Sequence, residues 1–143
     1  MGFEITVSRN LPLTSIGDLD EAARIFLAQI GYLRSEGDGG TALRLFDCFL
    51  KRPDKAWTVE DIAVTVKASK PTVYRYIARL RDIDLVEEAP VETKKGRGRG
   101  YRVRYGSLAK AWNFVEANVE VAMENYRKSV EHIEALAERE RRK

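Results

Sequence analysis

The first third of the chain carries two stretches of helical periodicity. From Asp18 onward, apolar residues recur every three or four positions, which predicts an amphipathic helix that ends near Gly37. Thr41 is suited to cap a second helix, which Pro53 stops. Residues 1–17 contain proline and glycine breakers, so we expect them to form an N-terminal arm ahead of the first helix.

The most informative pattern lies in residues 57–85. Thr58 is placed to cap a short helix, and Ser69 is placed to cap another after a tight turn. Pro71 falls in the first turn of the second helix, where proline is tolerated. The apolar residues of that helix repeat at helical spacing, and they are Val73, Ile77 and Leu80. Two short helices joined by a tight turn predict a helix-turn-helix.

A β-hairpin is predicted directly after these helices. Residues 85–93 and 101–105 alternate between apolar and polar side chains, as strands with one buried face do. Residues 94–100 alternate basic residues with glycine, which predicts a flexible, positively charged tip. Pro90 restricts the first strand to an edge position, and Trp57 is a candidate for a third short strand.

The remainder of the chain, residues 107–143, contains no helix breaker. About 35 residues at 1.5 Å each give a helix of roughly 50 Å, too long to fold back on a small domain. Bare apolar surface costs about 25 cal/mol per Å², so a partner helix is expected, most simply from a second copy of the chain. The predicted dimerisation residues are Trp112, Val115, Val119, Ala122, Tyr126, Val130, Ile133 and Leu136.

Length and pattern together define the fold class. A chain of 143 residues is too short for two full domains. We expect a mainly α fold with a small β-hairpin wing, in which residues 18–106 form a winged helix-turn-helix domain with its leading helix. Residues 107–143 would form the long C-terminal coiled-coil helix.

Composition changes the picture mainly through where the charge lies. The net charge is only +3, but residues 67–105 hold 11 basic and 5 acidic side chains. The segments on either side have no positive excess. A localised basic block indicates an anion-binding face, most often for nucleic acid, although a solvated helix surface is the simpler alternative.

Other function classes find little support in the sequence. Cys48 is the only cysteine and His132 the only histidine, so neither a Cys-rich zinc site nor a His-based catalytic triad is expected. No nucleotide-binding loop motif is present. We expect no enzymatic activity, metal or cofactor. Without a signal peptide or an apolar span, the chain is expected to be cytoplasmic and not membrane-bound.

Residues 58–63, 69–80 and 85–87 resemble the helix-turn-helix of winged-helix transcription regulators of the MarR and TrmB types, archaeal single-domain regulators in particular. The resemblance covers residues 41–105 and implies a DNA-binding domain with flanking helices that dimerise it. The sequence departs from the pattern of the group at two points, of which the second favours the TrmB-like side. Asp84 stands where the group usually has glycine, and the Asp-x-Arg signature of the MarR wing is absent.

The DNA contacts follow if the helix after Ser69 enters the major groove. Its exposed face is predicted to read bases, whereas residues near its start would contact phosphate and sugar. The basic hairpin would follow the backbone or the minor groove. The base-reading candidates are Thr72, Arg75 and Arg79, the phosphate candidates Ser69, Lys70 and Tyr74, and the hairpin candidates Lys94, Lys95, Arg97 and Arg99.

Three functions are compatible with these features. The favoured one is a sequence-specific regulator of transcription that binds double-stranded DNA as a homodimer. The others are a nucleoid-associated architectural protein with little sequence preference, and a winged-helix module that binds another protein. Trp112 and Tyr126 could line an effector pocket at the dimer seam, although aromatic residues at heptad spacing are more often core.

Overall fold

The computed structural model describes residues 10–33 and 39–143. Residues 1–9 of the predicted arm and residues 34–38 lie outside the described part of the chain, and residues 10–17 form no helix or strand. The described residues form helices α1 (Leu19–Gln29), α2 (Gly39–Lys51), α3 (Val59–Val66), α4 (Lys70–Asp82) and α5 (Leu108–Arg141), with strands β1 (Val86–Thr93) and β2 (Gly96–Val103) between α4 and α5. This confirms the predicted mainly α fold class with a hairpin and a long C-terminal helix.

The helix-turn-helix forms as its capping residues predict. The amide of Asp61 donates to Thr58 Oγ1 at 3.1 Å, which caps α3. The amide of Thr72 donates to Ser69 Oγ at 3.3 Å, which caps α4. Between the two helices Lys67 adopts a left-handed conformation with φ of 56°, which ends α3 and turns the chain into α4.

Helix α1 is shorter than predicted, because the chain reverses at Gly31. This glycine has φ of 87°, and its amide donates to the carbonyl of Ala28 at 3.2 Å. The amide of Tyr32 donates to the carbonyl of Leu27 at 2.9 Å, which completes a Schellman motif. The prediction that the helix continues towards Gly37 was therefore wrong.

The start of α2 also differs from the prediction. The helix begins at Gly39, so Thr41 lies inside its first turn and is not the cap. It ends at Lys51, two residues before Pro53, as predicted.

Helix α2 is the centre of the core. It contacts α1, α3, α4 and β2, and its Leu45, Phe46 and Phe49 are almost completely buried. Burying side chains of this size stabilises a fold by about 1.5–3 kcal/mol each, so α2 holds the helix-turn-helix against α1.

The wing is longer and its tip smaller than the sequence suggested. The strands pair from Val86 with Val103 as far as Thr93 with Gly96, so only Lys94 and Lys95 form the turn. The hydroxyl of Thr93 donates to the carbonyl of Gly96 at 2.7 Å and closes this turn. Arg97 and Arg99 consequently lie in β2, and their placement in a flexible glycine-rich tip was wrong. Opposite charges across the strands, such as Glu92 facing Arg97, favour the longer pairing.

Trp57 supplies the third strand as an isolated bridge. Its amide donates to the carbonyl of Tyr101 at 2.7 Å, and its carbonyl accepts from the amide of Tyr101 at 2.8 Å. Pro90 lies in β1, which has no second strand neighbour among the described residues, in agreement with its predicted edge position.

Gly100 is required where Trp57 meets β2. A Cβ at Gly100 would lie 3.1 Å from the carbonyl oxygen of Trp57 and 3.3 Å from the carbonyl carbon of Ala56. We expect Gly100→Ala to lower the free energy of unfolding by about 1–3 kcal/mol, because backbone atoms must move to admit the methyl group. Urea unfolding followed by circular dichroism measures this loss.

Gly17→Ala is the control for that change. Nothing lies within 4 Å of a Cβ placed at Gly17. Equal unfolding midpoints for the two variants would contradict the packing argument at Gly100.

Helix α5 leaves the domain after its first turns. Ser107 caps it by accepting from the amide of Lys110 at 3.3 Å, and Ala111 and Val115 are buried. Trp112 packs edge-on against Phe26 of α1, with ring centroids 5.6 Å apart. From residue 116 onward most side chains are exposed, as expected of a rod that projects from the domain. No helix in the described ranges is long and apolar enough to cross a membrane.

Candidate nucleic-acid interface

The outer face of α4 is centred on different residues from those predicted. Val73, Ile77 and Leu80 are buried as expected, but Tyr76 is buried with them and is only 2% exposed. Because Tyr76 widens the buried face on one side, the centre of the exposed face moves to Tyr74, Arg75 and Ala78 at 100° per residue.

Thr72 and Arg79 lie on the flank of this face. Both are half-buried, and the Arg79 guanidinium carbon is 5.4 Å from the Tyr76 ring centroid. Arg75 lies at 5.2 Å from the same ring but is exposed. Of the three base-reading candidates, Arg75 is thus the one in the middle of the solvent-facing surface. Tyr74, expected at the phosphates, is 53% exposed and lies beside it.

The start of α4 and the wing turn approach a common acidic group at the start of α3. Lys70 Nζ lies 3.4 Å from Glu60 Oε1. A backbone hydrogen bond, together with Lys70 and Lys95 nearby, holds the pKa of Glu60 below its usual range. Lys95 belongs to the wing turn, so a charge of the wing and a charge of the α4 N-terminus act on the same carboxylate.

A second carboxylate joins the flank of α4 to the wing. Glu88 Oε1 on β1 lies 3.5 Å from Arg81 Nη1 and 3.7 Å from Arg99 Nη1. Neighbouring side chains along a strand alternate between faces, so Arg97 shares the face of Arg99. The arginines of the wing therefore face the side on which α4 packs. Glu60 and Glu88 form ion pairs with basic residues of this surface. The sequence analysis did not predict a role at the interface for Glu60, Glu88, Arg81 or Ala78.

We call this surface the basic face. It consists of the exposed side of α4 with the wing turn and the outer half of β2. The predicted residues that contribute to it are Ser69, Lys70, Tyr74, Arg75, Lys94, Lys95, Arg97 and Arg99, all exposed, and the half-buried Thr72 and Arg79 border it.

The predicted dimerisation residues divide into two groups along α5. Val115 is fully buried in its own domain, and Trp112 and Val119 pack partly against the same core. Beyond them the apolar side chains are open to solvent, with Tyr126, Val130 and Ile133 each more than 60% exposed. Ala122 and Leu136 are exposed on the same helix. The free apolar stripe thus begins after Val119.

The only histidine and the only cysteine of the sequence lie on different helices. His132 is exposed on α5, and Cys48 is buried in α2, where burial raises the pKa of its thiol. Within residues 10–33 and 39–143, no cluster of His, Cys, Asp and Glu has the grouping that a metal ion requires.

A comparison with solved structures finds a similar fold in two different proteins. A possible transcriptional regulator from Methanosarcina mazei Go1 has 16% sequence identity and a TM-score of 0.47, over 64% of this chain and 75% of the other. A mutant of S. aureus MepR has 16% identity and a TM-score of 0.44, over 80% and 75%. S. aureus MepR bound to ethidium bromide has 14% identity and a TM-score of 0.38, over 82% and 86%.

No protein-family model matches the sequence, and no curated protein matches it. Likeness as distant as that of the solved structures carries no inference about activity. The function is therefore inferred from the residues of the interface itself.

Proposed function

We propose that the protein is a regulator of transcription that binds double-stranded DNA in a sequence-specific manner as a homodimer. The observation that carries the proposal is the basic face, on which Glu88 joins the helix that exposes Arg75 to the hairpin that carries Arg99. An α-helix fits the major groove of B-form DNA, and a narrow basic hairpin fits the backbone or the minor groove beside it.

Base reading is assigned chiefly to Arg75. Arginine is the side chain best able to form two hydrogen bonds to guanine O6 and N7. The exposed Ala78 lies one turn further along the same face and is small, so the helix can approach the groove closely at that position. Arg79, with its guanidinium near the Tyr76 ring, is assigned to the edge of the contact.

We assign the interface of the homodimer to the exposed part of α5. Tyr126, Val130 and Ile133 form one apolar stripe at heptad spacing along a helix that its own domain does not cover. A second copy offers the same stripe and buries both at once. Two domains joined in this way present two α4 helices, which calls for half-sites about 34–36 Å apart and a symmetric operator.

Selection from a random pool of DNA duplexes tests the proposal and supplies the site. A sequence-specific regulator enriches one motif and binds it about 10³-fold or more tightly than random duplex. Equal affinity for selected and random duplexes would favour the architectural alternative. No binding at moderate salt would leave the protein-interaction alternative.

Arg75→Ala is expected to weaken binding to the selected site by about 1–3 kcal/mol, roughly 5- to 150-fold, and to relax the preference at one base pair. The reason is the loss of a bidentate contact to one base. Fluorescence anisotropy with the selected duplex and its single-base variants measures both effects. A uniform loss on every duplex would assign Arg75 to phosphate contacts instead.

Arg97→Ala is expected to behave differently, because a wing arginine contacts the backbone. Affinity for the selected and random duplexes should fall by the same factor, and the slope of log K against log salt should become shallower by about 1. A site-specific loss, or an unchanged salt slope, would contradict the role given to the wing.

A further inference from the structure

One buried aromatic ring lies close to both arginines of α4 that the sequence predicts to read bases. The guanidinium carbon of Arg75 is 5.2 Å from the centroid of the Tyr76 ring, and that of Arg79 is 5.4 Å from the same centroid. A guanidinium group within about 6 Å of a ring centroid is attracted by the negative face of the ring. The Tyr76 ring therefore attracts both cations and restricts the rotation of both side chains.

The same ring offsets a repulsion between the two arginines. Arg75 and Arg79 are four residues apart, so their side chains are neighbours on the surface of α4. Like charges at this spacing repel each other, which favours conformations that separate the two guanidinium groups. Because both groups approach one ring, Tyr76 holds them near each other despite their charge.

The position of the ring is itself fixed by the core. Tyr76 is only 2% exposed and Tyr32 only 4%. The two rings pack with their centroids 6.3 Å apart and their planes tilted by 55°. The hydroxyl of Tyr32 also donates to the carbonyl of Tyr76 at 3.4 Å. Side chains in a close-packed core keep a single rotamer, so the Tyr76 ring is a rigid support for the arginines.

Tyr76 lies behind the surface that would meet DNA. Arg75 is exposed in the middle of that surface, and Arg79 is half-buried on its flank. A side chain as buried as that of Tyr76 does not reach a base edge. Any effect of Tyr76 on the reading of DNA must therefore pass through the arginines that its ring attracts.

We propose that Tyr76 is a positioning residue of the interface, whose ring holds the guanidinium group of Arg75 in the orientation that reads a base and holds Arg79 beside it. This inference rests on the proposed function. An arginine that is ordered before binding loses less conformational freedom when it forms two hydrogen bonds to guanine, so order in the free protein favours the selected site.

Replacement of the ring tests the proposal. Tyr76→Leu keeps an apolar side chain but removes the ring, and we expect it to weaken binding to the selected duplex by about 3- to 10-fold. The preference should relax at the same base pair as in Arg75→Ala. Affinity for random duplex should change by less than about 2-fold, because the arginines keep their charges. Tyr76→Phe keeps the ring and should keep the base preference. Fluorescence anisotropy with single-base variants of the selected duplex measures these effects.

Two changes on the same helix serve as controls. Val73 is fully buried, so Val73→Ala also loosens the packing of α4, but it should leave the base preference intact. Tyr74→Leu removes an exposed ring that is assigned to phosphate and sugar, so it should weaken all duplexes alike. If Val73→Ala relaxed the preference as much as Tyr76→Leu, the effect would be a general loosening of the helix and the proposal would be overturned. Tyr76→Phe behaving like Tyr76→Leu would overturn it as well.

An NMR measurement on the native chain examines the same contact without DNA. The side-chain Nε–Hε groups of Arg75 and Arg79, assigned with Arg75→Lys and Arg79→Lys, should show higher heteronuclear NOE values than that of Arg24, an exposed arginine of α1. In Tyr76→Leu the values should fall to that of Arg24. Equal mobility of the three arginines in the native chain would overturn this inference alone, whereas a selection from random duplexes that enriches no motif would overturn the proposed function.

Discussion

Replacing Val130 and Ile133 together by glutamate is expected to convert the dimer to a monomer and to cut affinity for a two-half-site duplex by about 10²- to 10⁴-fold. Both side chains are 63% exposed in the single chain and lie on the same stripe of α5. Two buried carboxylates at a helix–helix seam carry a desolvation penalty that the lost apolar contacts cannot offset. Without the dimer, the second half-site no longer benefits from the high effective concentration that a linked domain provides.

Light scattering and fluorescence anisotropy measure the two parts of this prediction. Ala117→Glu with Ala135→Glu is the matched control, because it adds the same charge on the opposite, exposed side of α5. The control should remain dimeric and keep its affinity. Binding to a duplex with a single half-site should be alike for all three proteins. A Val130 and Ile133 variant that stays dimeric would exclude this stripe as the dimer interface.

The parts of the fold that depend on local chemistry were predictable from the sequence. Thr58 and Ser69 cap α3 and α4 because a hydroxyl placed before a helix satisfies a free amide, whatever surrounds it. Asp84 occupies a left-handed position with φ of 63°, where the resembling regulators usually have glycine. Its carboxylate lies 3.3 Å from Arg104 Nη2, which helps to hold the turn.

The errors arose where a tertiary contact outweighed the local pattern. The helical periodicity continues past Gly31, but the glycine reverses the chain and buries Tyr32, whose hydroxyl donates to the carbonyl of Tyr76 at 3.4 Å. Glycines in the wing suggested a loose tip, but pairing of Gly98 with Val91 keeps them in a strand. In both places the composition favoured one structure and a longer-range contact stabilised another.

The sequence predicted where the candidate interface lies more accurately than it predicted which residues lie at the centre of that interface. The basic block of residues 67–105 does contain the exposed residues of α4 and the wing. The shift of the centre towards Tyr74 and Ala78 follows from the burial of Tyr76, and helical periodicity alone left the position of that tyrosine open. The burial of Asp47, which is only 8% exposed, is a different case, because no sequence spacing predicts it.

Asp47 lies in α2 and is only 8% exposed. Asp47→Asn is expected to stabilise the protein at neutral pH by on the order of 2–3 kcal/mol. The pKa of Asp47 is raised from 3.8 to about 6, first by burial and then by the hydrogen bond and charge of Asp20. An acid whose pKa is higher in the folded state holds its proton more tightly there than in the unfolded chain. Ionising it therefore favours unfolding, and the penalty grows as the pH rises from 4 to 6.

The difference between the two proteins isolates this single group. At pH 3 and below, Asp47 is mainly protonated in both states, so we expect equal free energies of unfolding for the variant and the native chain. Above pH 6.5 the native chain carries the full penalty, whereas asparagine, which resembles the protonated acid, carries none. Urea unfolding at intervals from pH 3 to pH 8 measures the divergence, and parallel curves for the two proteins would contradict it.

Asp20→Asn separates the two causes of the raised pKa. It removes the neighbouring carboxylate but leaves Asp47 buried, so the penalty should shrink without vanishing. Asp54→Asn, at an exposed position, should leave the pH profile of stability as it is. Should Asp47→Asn prove less stable than the native chain at pH 8, the carboxylate of Asp47 must be held by a cation in the folded protein, and the expected penalty would be wrong.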